Sequence, residues 1–382
     1  MKIPFHRPFI TDEEIEAASA MLREGWLTAG AKTKEFETAF KAFVGCEHAV
    51  AVNSATAALH LSLEAAGVSE GDEVLVPAMT FVATAEVVRY LRATPVLVDI
   101  ERDTHLIDCS RIEEKITDRT KAVMPVHYAG QPCDMDAILD IAHEKGLVVI
   151  EDAAHAFPAR YRGSMIGTLG DASCFSFYAT KTITTGEGGM LCTNRDEWAR
   201  RARMLRLHGI SRDTWARENS TSPWQYDVLA NGYKYNTTDI AAAIGLAQLR
   251  KADLLLEKRR RIADRYNAAF LNLDILTPLT IRPDRKTSWY LYPIRLTLEA
   301  LSITRDRFIE EAGARGVSLS VHFIPLYEFT LYRELGYTPA GYENCSWVYE
   351  RTVSLPIFPG MNDTEVCYVI DTILELAKSF KR

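Results

Sequence analysis

Short runs that are apolar almost throughout recur along the first half of the chain: His48–Val52, Glu73–Val76, Pro95–Asp99, Lys121–Val126 and Leu147–Glu151. Helical segments over about 82–92 and 134–145 alternate with them. Runs apolar on both faces and spaced by helices predict a buried, mainly parallel sheet with helices on either side. Two more runs of strand character, Cys174–Tyr178 and Met190–Thr193, bracket a loop. Residues 11–24 predict a helix capped at Thr11, with acids in the first turn where the helix dipole favours them. The glycine-bounded loop Gly25–Gly30 ends it, and a second helix follows over Lys32–Val44. A small polar turn, Asn53–Thr56, leads from the His48 strand into a helix over 57–66.

Later in the chain, residues 211–232 are polar and irregular. Thr237 or Thr238 caps one long helix from Asp239 to about Phe270. A stretch rich in Pro, Thr and Arg over 274–286 marks entry to a second domain. The expected division is a large domain, 1–250, and a smaller C-terminal α/β domain, 251–382, joined by the long helix over about 239–270. In the second part Ser288–Leu296 reads as a strand and Thr304–Ala314 as a helix. Val317–Phe323 alternates, with Val317, Leu319, Val321 and Phe323 on one face and Ser318, Ser320 and His322 on the other. A closing helix from about Asp363 carries a one-sided apolar stripe at 366, 369, 370, 373, 374 and 377.

Composition narrows the function classes. A chain of 382 residues suffices for two domains and a large core. Its net charge of −7 gives no global reason to bind nucleic acid or an anionic membrane, so any anionic ligand must be met by local groups. The N-terminus lacks the apolar region of a signal peptide and no run of about 18 apolar residues occurs, which makes the cytoplasm the default location. Cysteines 46, 109, 133, 174, 192, 345 and 367 form no C-x-x-C pair and are odd in number, so neither a metal site nor a disulfide framework is expected. They read as reduced, mostly buried thiols. The sequon Asn219-Ser-Thr221 carries no weight without a secretory signal.

The candidate chemistry centres on Lys181, a lysine between two strand runs at the edge of Gly186-Glu-Gly-Gly189. Lysines are mostly solvated, so partners must decide. An amine so placed can form a Schiff base with an aldehyde cofactor, of which pyridoxal 5'-phosphate (PLP) is the usual one. PLP requires an acid for its ring nitrogen, donors for its phosphate and a flat partner for its ring. Asp152 ends a buried strand, where a carboxylate is costly unless it meets a cation. A pyridinium is such a cation, and an arginine or a helix end is the plainer alternative. Asn53–Thr56 is either an anion site at a helix start or an ordinary N-cap. Ser176 adds a hydroxyl and Phe81 a flat face. Thr80–Phe81, His127–Tyr128 and Glu151–His155 all fall at strand carboxyl ends, where such sheets bind ligands. Trp26 is a core plug or a lid over a ligand.

In order, Asn53-Ser-Ala-Thr-Ala-Ala-Leu59, Pro77-Ala-Met-Thr-Phe-Val-Ala-Thr84, Pro125-Val-His-Tyr-Ala-Gly130, Glu151-Asp-Ala-Ala-His-Ala156, Phe175-Ser-Phe-Tyr-Ala-Thr-Lys181, Gly186-Glu-Gly-Gly189 and Gly232-Tyr-Lys-Tyr-Asn-Thr-Thr-Asp239 span nearly the whole chain. Together they resemble the PLP-dependent nucleotide-sugar aminotransferases of the DegT/DnrJ/EryC1/StrS group. The resemblance implies an aspartate-aminotransferase type fold (fold type I). Its large domain would hold a mainly parallel seven-stranded sheet, and the enzyme would be a homodimer with active sites at the interface. It implies Lys181 as the Schiff-base lysine, Asp152 as partner of the ring nitrogen and His155 near the phenolic oxygen. Ser54, Ala55, Thr56 and Ser176 would hold the phosphate, Phe81 would contact the cofactor, and Asn236 would reach the phosphate from the other subunit. Trp26, Thr28 and His322 would belong to the substrate pocket. Tyr178 departs from the pattern, since close relatives often carry histidine there.

The implied activity is transfer of an amino group from L-glutamate to C4 of a UDP-linked 4-keto sugar, in lipopolysaccharide or cell-surface glycan biosynthesis. Pro125–Gly130 and Gly232–Ile240 look most like members that make UDP-4-amino-4-deoxy-L-arabinose from a UDP-4-keto-pentose. Similar members aminate UDP- or GDP-4-keto-6-deoxy-hexoses in pathways of the pseudaminic acid, bacillosamine or perosamine type. Arg200, Arg201, Arg203 and Arg206 are either diphosphate ligands or a solvated helix face. A sugar dehydratase of the same fold would carry histidine in place of Lys181, and a non-catalytic sensor would show damaged cofactor motifs.

Overall fold

The computed structural model describes residues 1–211 and 224–382. The predicted 211–232 loop falls largely on 212–223, outside the described residues, as does the Asn219 sequon. The apolar runs form β1 (His48–Val52), β2 (Glu73–Pro77), β3 (Thr94–Val98), β4 (Thr120–Val123) and β5 (Val148–Asp152). A hairpin of β6 (Arg160–Tyr161) and β7 (Ser164–Met165) precedes β8 (Ala172–Ser176) and β9 (Gly189–Thr193). Seven of these make one sheet in the order β1-β9-β8-β5-β4-β2-β3. Strands β8, β5, β4, β2 and β3 pair in parallel, whereas β9 runs against both neighbours. All five residues of β2 and of β9 are buried, as expected of strands covered on both faces.

Helix α1 (Asp12–Glu24) starts at Thr11 in a capping box with Glu14, and α2 (Ala31–Val44) follows. Helix α3 (Ala55–Ala65) leaves β1 through Ser54, and α4 (Ala83–Tyr90), α5 (Met135–Lys145) and α6 (Asp196–Leu205) complete the covering layers. Among the described residues, no helix is long and apolar enough to cross a membrane.

The single helix expected over 239–270 is two: α7 (Asp239–Arg250) and α8 (Ala252–Phe270), broken at Lys251 with φ −102° and ψ 5°. Lys251 turns its ammonium back onto Glu14 of α1 and the Thr11 hydroxyl. Buried residues of α7 join the core around the central sheet, whereas Ile262, Tyr266 and Phe270 of α8 join a second, smaller core. The second helix spans both, since its Ala252 and Leu255 still pack in the larger core. The second core surrounds a sheet of β10 (Leu276–Pro278), β12 (Tyr292–Leu296) and β13 (Thr352–Leu355), while β11 (Arg285–Lys286) pairs with β6. Ile3 also packs in the smaller core, and Leu326, Tyr327, Cys345 and Val348 pack in the larger. The two cores therefore interleave along the chain.

Two further expectations are corrected. The strand predicted over 288–296 begins only at Tyr292, because the Ser288 and Leu291 amides are drawn to the carbonyls of Gly130 and Ala129. Val317–Phe323 is not a strand. It makes isolated bridges, Val317 to Ile3 and Ser320 to Ser354, and Ser320, His322 and Phe323 all face one cavity instead of alternating.

Candidate active site

Strand carboxyl ends converge on a cavity of about 430 Å³. Ser54, Ala55, Thr56, Phe81, Asp152, His155, Ser176, Lys181 and His322 all line it. Ser54 is the N-cap of α3, its Oγ accepting from the Ala57 amide at 3.1 Å, so the helix starts two residues earlier than expected. The cap and the anion site are thus the same element: free N–H groups of the first turn border the cavity. Gly189 lets β9 approach this turn, since a Cβ there would lie 2.4 Å from the Ser54 carbonyl carbon and oxygen. Ser176 ends β8, and its Oγ accepts from the Tyr178 amide at 3.3 Å.

Glu151 and Asp152 are consecutive in β5 and point to opposite faces. Glu151 faces away from the cavity, accepting from the Gly170 amide (2.9 Å), Ser173 Oγ (2.6 Å) and His127 Nε2 (2.8 Å). His127 Nδ1 accepts from the Cys133 amide at 3.0 Å, which leaves Nε2 as the protonated nitrogen. The Asp152 carboxylate faces the cavity, 5% exposed, and accepts from Thr84 Oγ1 (2.8 Å) and the Ala154 amide (3.1 Å). Burial raises its pKa, opposed by these donors and by the nearby charge of Lys181.

Lys181 Nζ sits 4.2 Å from the centroid of the Tyr290 ring. The buried His155 ring packs against Tyr290 at 4.3 Å and against Phe323 at 5.7 Å. Burial, then the charge of Lys181, depresses its pKa well below the usual histidine value, so the ring is neutral. His322 stacks on Phe5 at 5.4 Å, shares a hydrogen bond with Ser354 Oγ at 2.9 Å, and is pushed down to about 4 by burial and then by Lys181.

Other predicted residues lie elsewhere in the single chain. Asn236 borders a second cavity of about 310 Å³ with Asn53, Thr185 and Thr238, and donates from Nδ2 to the Thr237 carbonyl at 2.9 Å. Thr28 is exposed and bridges to Thr238 beside that cavity. Trp26 is half-buried against Gly30, where a Cβ would meet its Nε1 at 2.2 Å, and lines neither cavity. None of the four candidate arginines lines either cavity; Arg206 is buried in an ion pair with Glu37, and Arg201 pairs with Glu64 at 3.2 Å. Sequence reasoning gave no role to Thr84, Tyr290, Phe5, Phe323 or Glu187. Thr84 and Glu187 lay within quoted motifs, but a threonine opening a helix and a glutamate in a glycine turn carry no signal of their own.

These residues fit PLP. Among the described residues Asp152 takes hydrogen bonds only from neutral groups, so its buried charge calls for a cation such as a protonated ring nitrogen. Among the described residues the buried Nδ1 of His155 has no hydrogen-bond partner, and the start of α3 offers amides and hydroxyls on the same cavity. Such a cavity, on a parallel sheet with a lysine at its edge, defines a PLP-dependent aminotransferase of the aspartate-aminotransferase type.

The model of the DegT/DnrJ/EryC1/StrS aminotransferase family matches residues 8–374, and the chain belongs to that family. It is 44% identical over 378 residues to the spore coat polysaccharide biosynthesis protein SpsC of Bacillus subtilis, covering 98% of this chain and 97% of the relative. The PLP form of Spr1654 of Streptococcus pneumoniae, assigned as a sugar aminotransferase, superposes with a TM-score of 0.93 at 34% identity over 99% of both chains. Helicobacter pylori PseC, an aminotransferase involved in pseudaminic acid biosynthesis, superposes with a TM-score of 0.92 at 30% identity over 100% of both. PLP is accordingly the cofactor.

Proposed function

We propose that the enzyme transfers an amino group from L-glutamate to C4 of a UDP-linked 4-keto sugar, with a UDP-4-keto-pentose as the first candidate. The observation that carries the transaminase reading is the meeting of Lys181 and Asp152 on one cavity at the sheet's carboxyl edge. The sugar reading rests on the family and on the likeness of Pro125–Gly130 and Gly232–Ile240 to the pentose-modifying members. A UDP- or GDP-4-keto-6-deoxy-hexose is the second candidate, favoured by the similarity to PseC.

PLP, when bound, supplies an electron sink and a carbonyl at which amino groups are exchanged. Asp152 would hold the ring nitrogen in its protonated state, with Thr84 and the Ala154 amide fixing the carboxylate. Ser54, Ala55, Thr56 and Ser176 would hold the phosphate, Phe81 would offer a flat face to the ring, and His155 would lie near the phenolic oxygen. Lys181 Nζ acts as the base that moves a proton from Cα of the amino donor, and returns one in the second half of the cycle. Neutral His155 and His322 leave that amine as the proton carrier. The same reading makes the enzyme a cytoplasmic homodimer with domains 1–250 and 251–382. Asn236, Trp26 and Thr28 then serve the partner's site, and neither nucleic acid nor membrane is a partner.

Purified protein should be yellow and bleach with L-glutamate, and Lys181→Ala should not bleach. Product analysis with the UDP-4-keto-pentose beside UDP-4-keto-6-deoxy-hexoses decides the sugar. Comparable amination of 3-keto sugars would overturn the C4 assignment.

A further inference from the structure

Tyr290 presents its ring to the reacting amine: Lys181 Nζ lies over its face, 4.2 Å from the centroid. The ring also packs against His155 at 4.3 Å, and its hydroxyl meets Thr180 Oγ1 at 3.0 Å. A tyrosine in a wall is usually packing. Here, however, the backbone that delivers it is held by unfavourable local choices. Trp289, a bulky residue, has φ +51°, a left-handed conformation that persists only where the surroundings enforce it. Ser288 Oγ donates to the His155 carbonyl at 2.5 Å and presses on Gly130, which has φ +97° and no room for a Cβ. Arg259, fully buried and with no ion pair among the described residues, donates from Nη1 to the carbonyls of Trp289 (3.4 Å), Tyr290 (3.3 Å) and Ile357 (2.8 Å). An uncompensated buried guanidinium is costly and is expected only where it fixes something.

We infer that Tyr290 is the station for the Lys181 amine in the states where that amine is not bonded to the cofactor. Its ring face holds the ammonium formed when Nζ has taken the proton from Cα of the amino donor. The electron pair of that C–H bond stays behind, and the proton remains on Nζ until it is passed on. Arg259 acts through the Tyr290 backbone as a positioning residue. The inference rests on the transaminase reading but not on the identity of donor or sugar.

The test uses full-length protein reconstituted with pyridoxamine phosphate, which leaves Lys181 free, and labelled with ¹³C at lysine Cε. The Lys181 Hε resonances, assigned by their loss in Lys181→Ala, should be displaced upfield by the ring, and equally in Tyr290→Phe. In Tyr290→Leu the displacement should vanish. In single turnovers with Cα-deuterated and ordinary glutamate, Tyr290→Leu should slow proton transfer about tenfold, as loss of a desolvated cation–π contact implies, and raise the isotope effect. Glutamate affinity should stay within about twofold, because the ring acts on the amine and not on donor binding. Unshifted resonances in the unmodified protein would overturn the proposal. So would wild-type proton transfer in Tyr290→Leu, or an equal loss in Tyr290→Phe, which would assign the role to the hydroxyl. The resonance arm needs neither donor nor sugar, so its failure is separate from failure of the sugar assignment.

Discussion

At the residue scale, the charge on Asp152 is the feature the rest of the cavity must answer. Its two donors are neutral, and burial penalises the carboxylate, so a cationic ring nitrogen should be bound against it. Asp152→Asn should slow the glutamate half-reaction by about 10²–10⁴-fold, in keeping with the about 3–5 kcal/mol lost when one partner of a buried ion pair is removed. Stopped-flow absorbance checks this, and an unchanged rate would place the ring nitrogen's partner elsewhere. Gly189→Ala addresses the other end of the cofactor. A Cβ 2.4 Å from the Ser54 backbone must push β9 and the start of α3 apart, costing about 1–3 kcal/mol and weakening PLP affinity in an equilibrium titration. Asp152 stood out in the sequence because a carboxylate ending a buried strand is costly unless it pairs, whereas Lys181, in a loop beyond β8, stood out only through the partners its chemistry would need. Thr84, Phe323 and Tyr290 did not stand out. A threonine near a helix start and aromatics in apolar runs look structural, and only the folded path brings Tyr290 under an amine more than a hundred residues earlier in the chain.

Elements were read best where burial alone decides them. The runs at His48, Glu73, Pro95 and Leu147 became strands with ends within a residue or so, because a strand covered on both faces has few other conformations open to it. The failures lie where tertiary contacts override local pattern. Val317–Phe323 alternates perfectly but bridges between the cores and lends its residues to the cavity. The 239–270 helix has no glycine or proline at Lys251 to announce its break; what marks the position is the pairing of Lys251 with Glu14 of α1, far away in the chain. The Glu14 side chain is buried. Burial works to raise its pKa, but hydrogen bonds from Lys251, the Thr11 amide, Gln248 and the Thr11 hydroxyl outweigh it and bring it to about 2. Lys251→Met leaves that carboxylate uncompensated and should destabilise the protein by about 3–5 kcal/mol in urea unfolding, while Lys251→Arg should recover most of the loss. Equal stability of the methionine variant would show that the pairing contributes nothing there.

On the scale of the whole molecule, the cavity lies on the seam of two interleaved cores, and histidines in and beyond it are held neutral by burial. Ser320 and His322 reach it from a segment whose Val317 and Leu319 pack in the smaller core, and Phe5, Ser54, Asp152, Lys181 and Tyr290 reach it from the side of the larger. His6 packs against Phe358 and is depressed to about 3 by burial, then by Arg259 and Lys181. His105, fully buried against Tyr128, is also pushed to about 3, by burial and then Arg295, and His322 lies at about 4. All three are neutral in the folded chain and take up protons in the unfolded chain below about 6.5. The unfolded state therefore binds more protons between about pH 6.5 and 4. Stability is complete above that range and is lost as pH falls through it, by at most about 1.4 kcal/mol per pH unit for each histidine. The Glu14 contribution, with its folded value near 2, is lost only below the ordinary carboxylate range, so the window from about 4.5 to 6.5 belongs to the histidines. Cofactor-free protein should melt at progressively lower temperature from pH 7 to pH 5. His105→Asn, which tolerates the left-handed φ of +58° at that position and does not titrate, should reduce the slope by about one proton. A melting temperature flat across this range, or a His105→Asn slope equal to that of the unmodified chain, would mean that these imidazoles are hydrated and protonated in the folded protein.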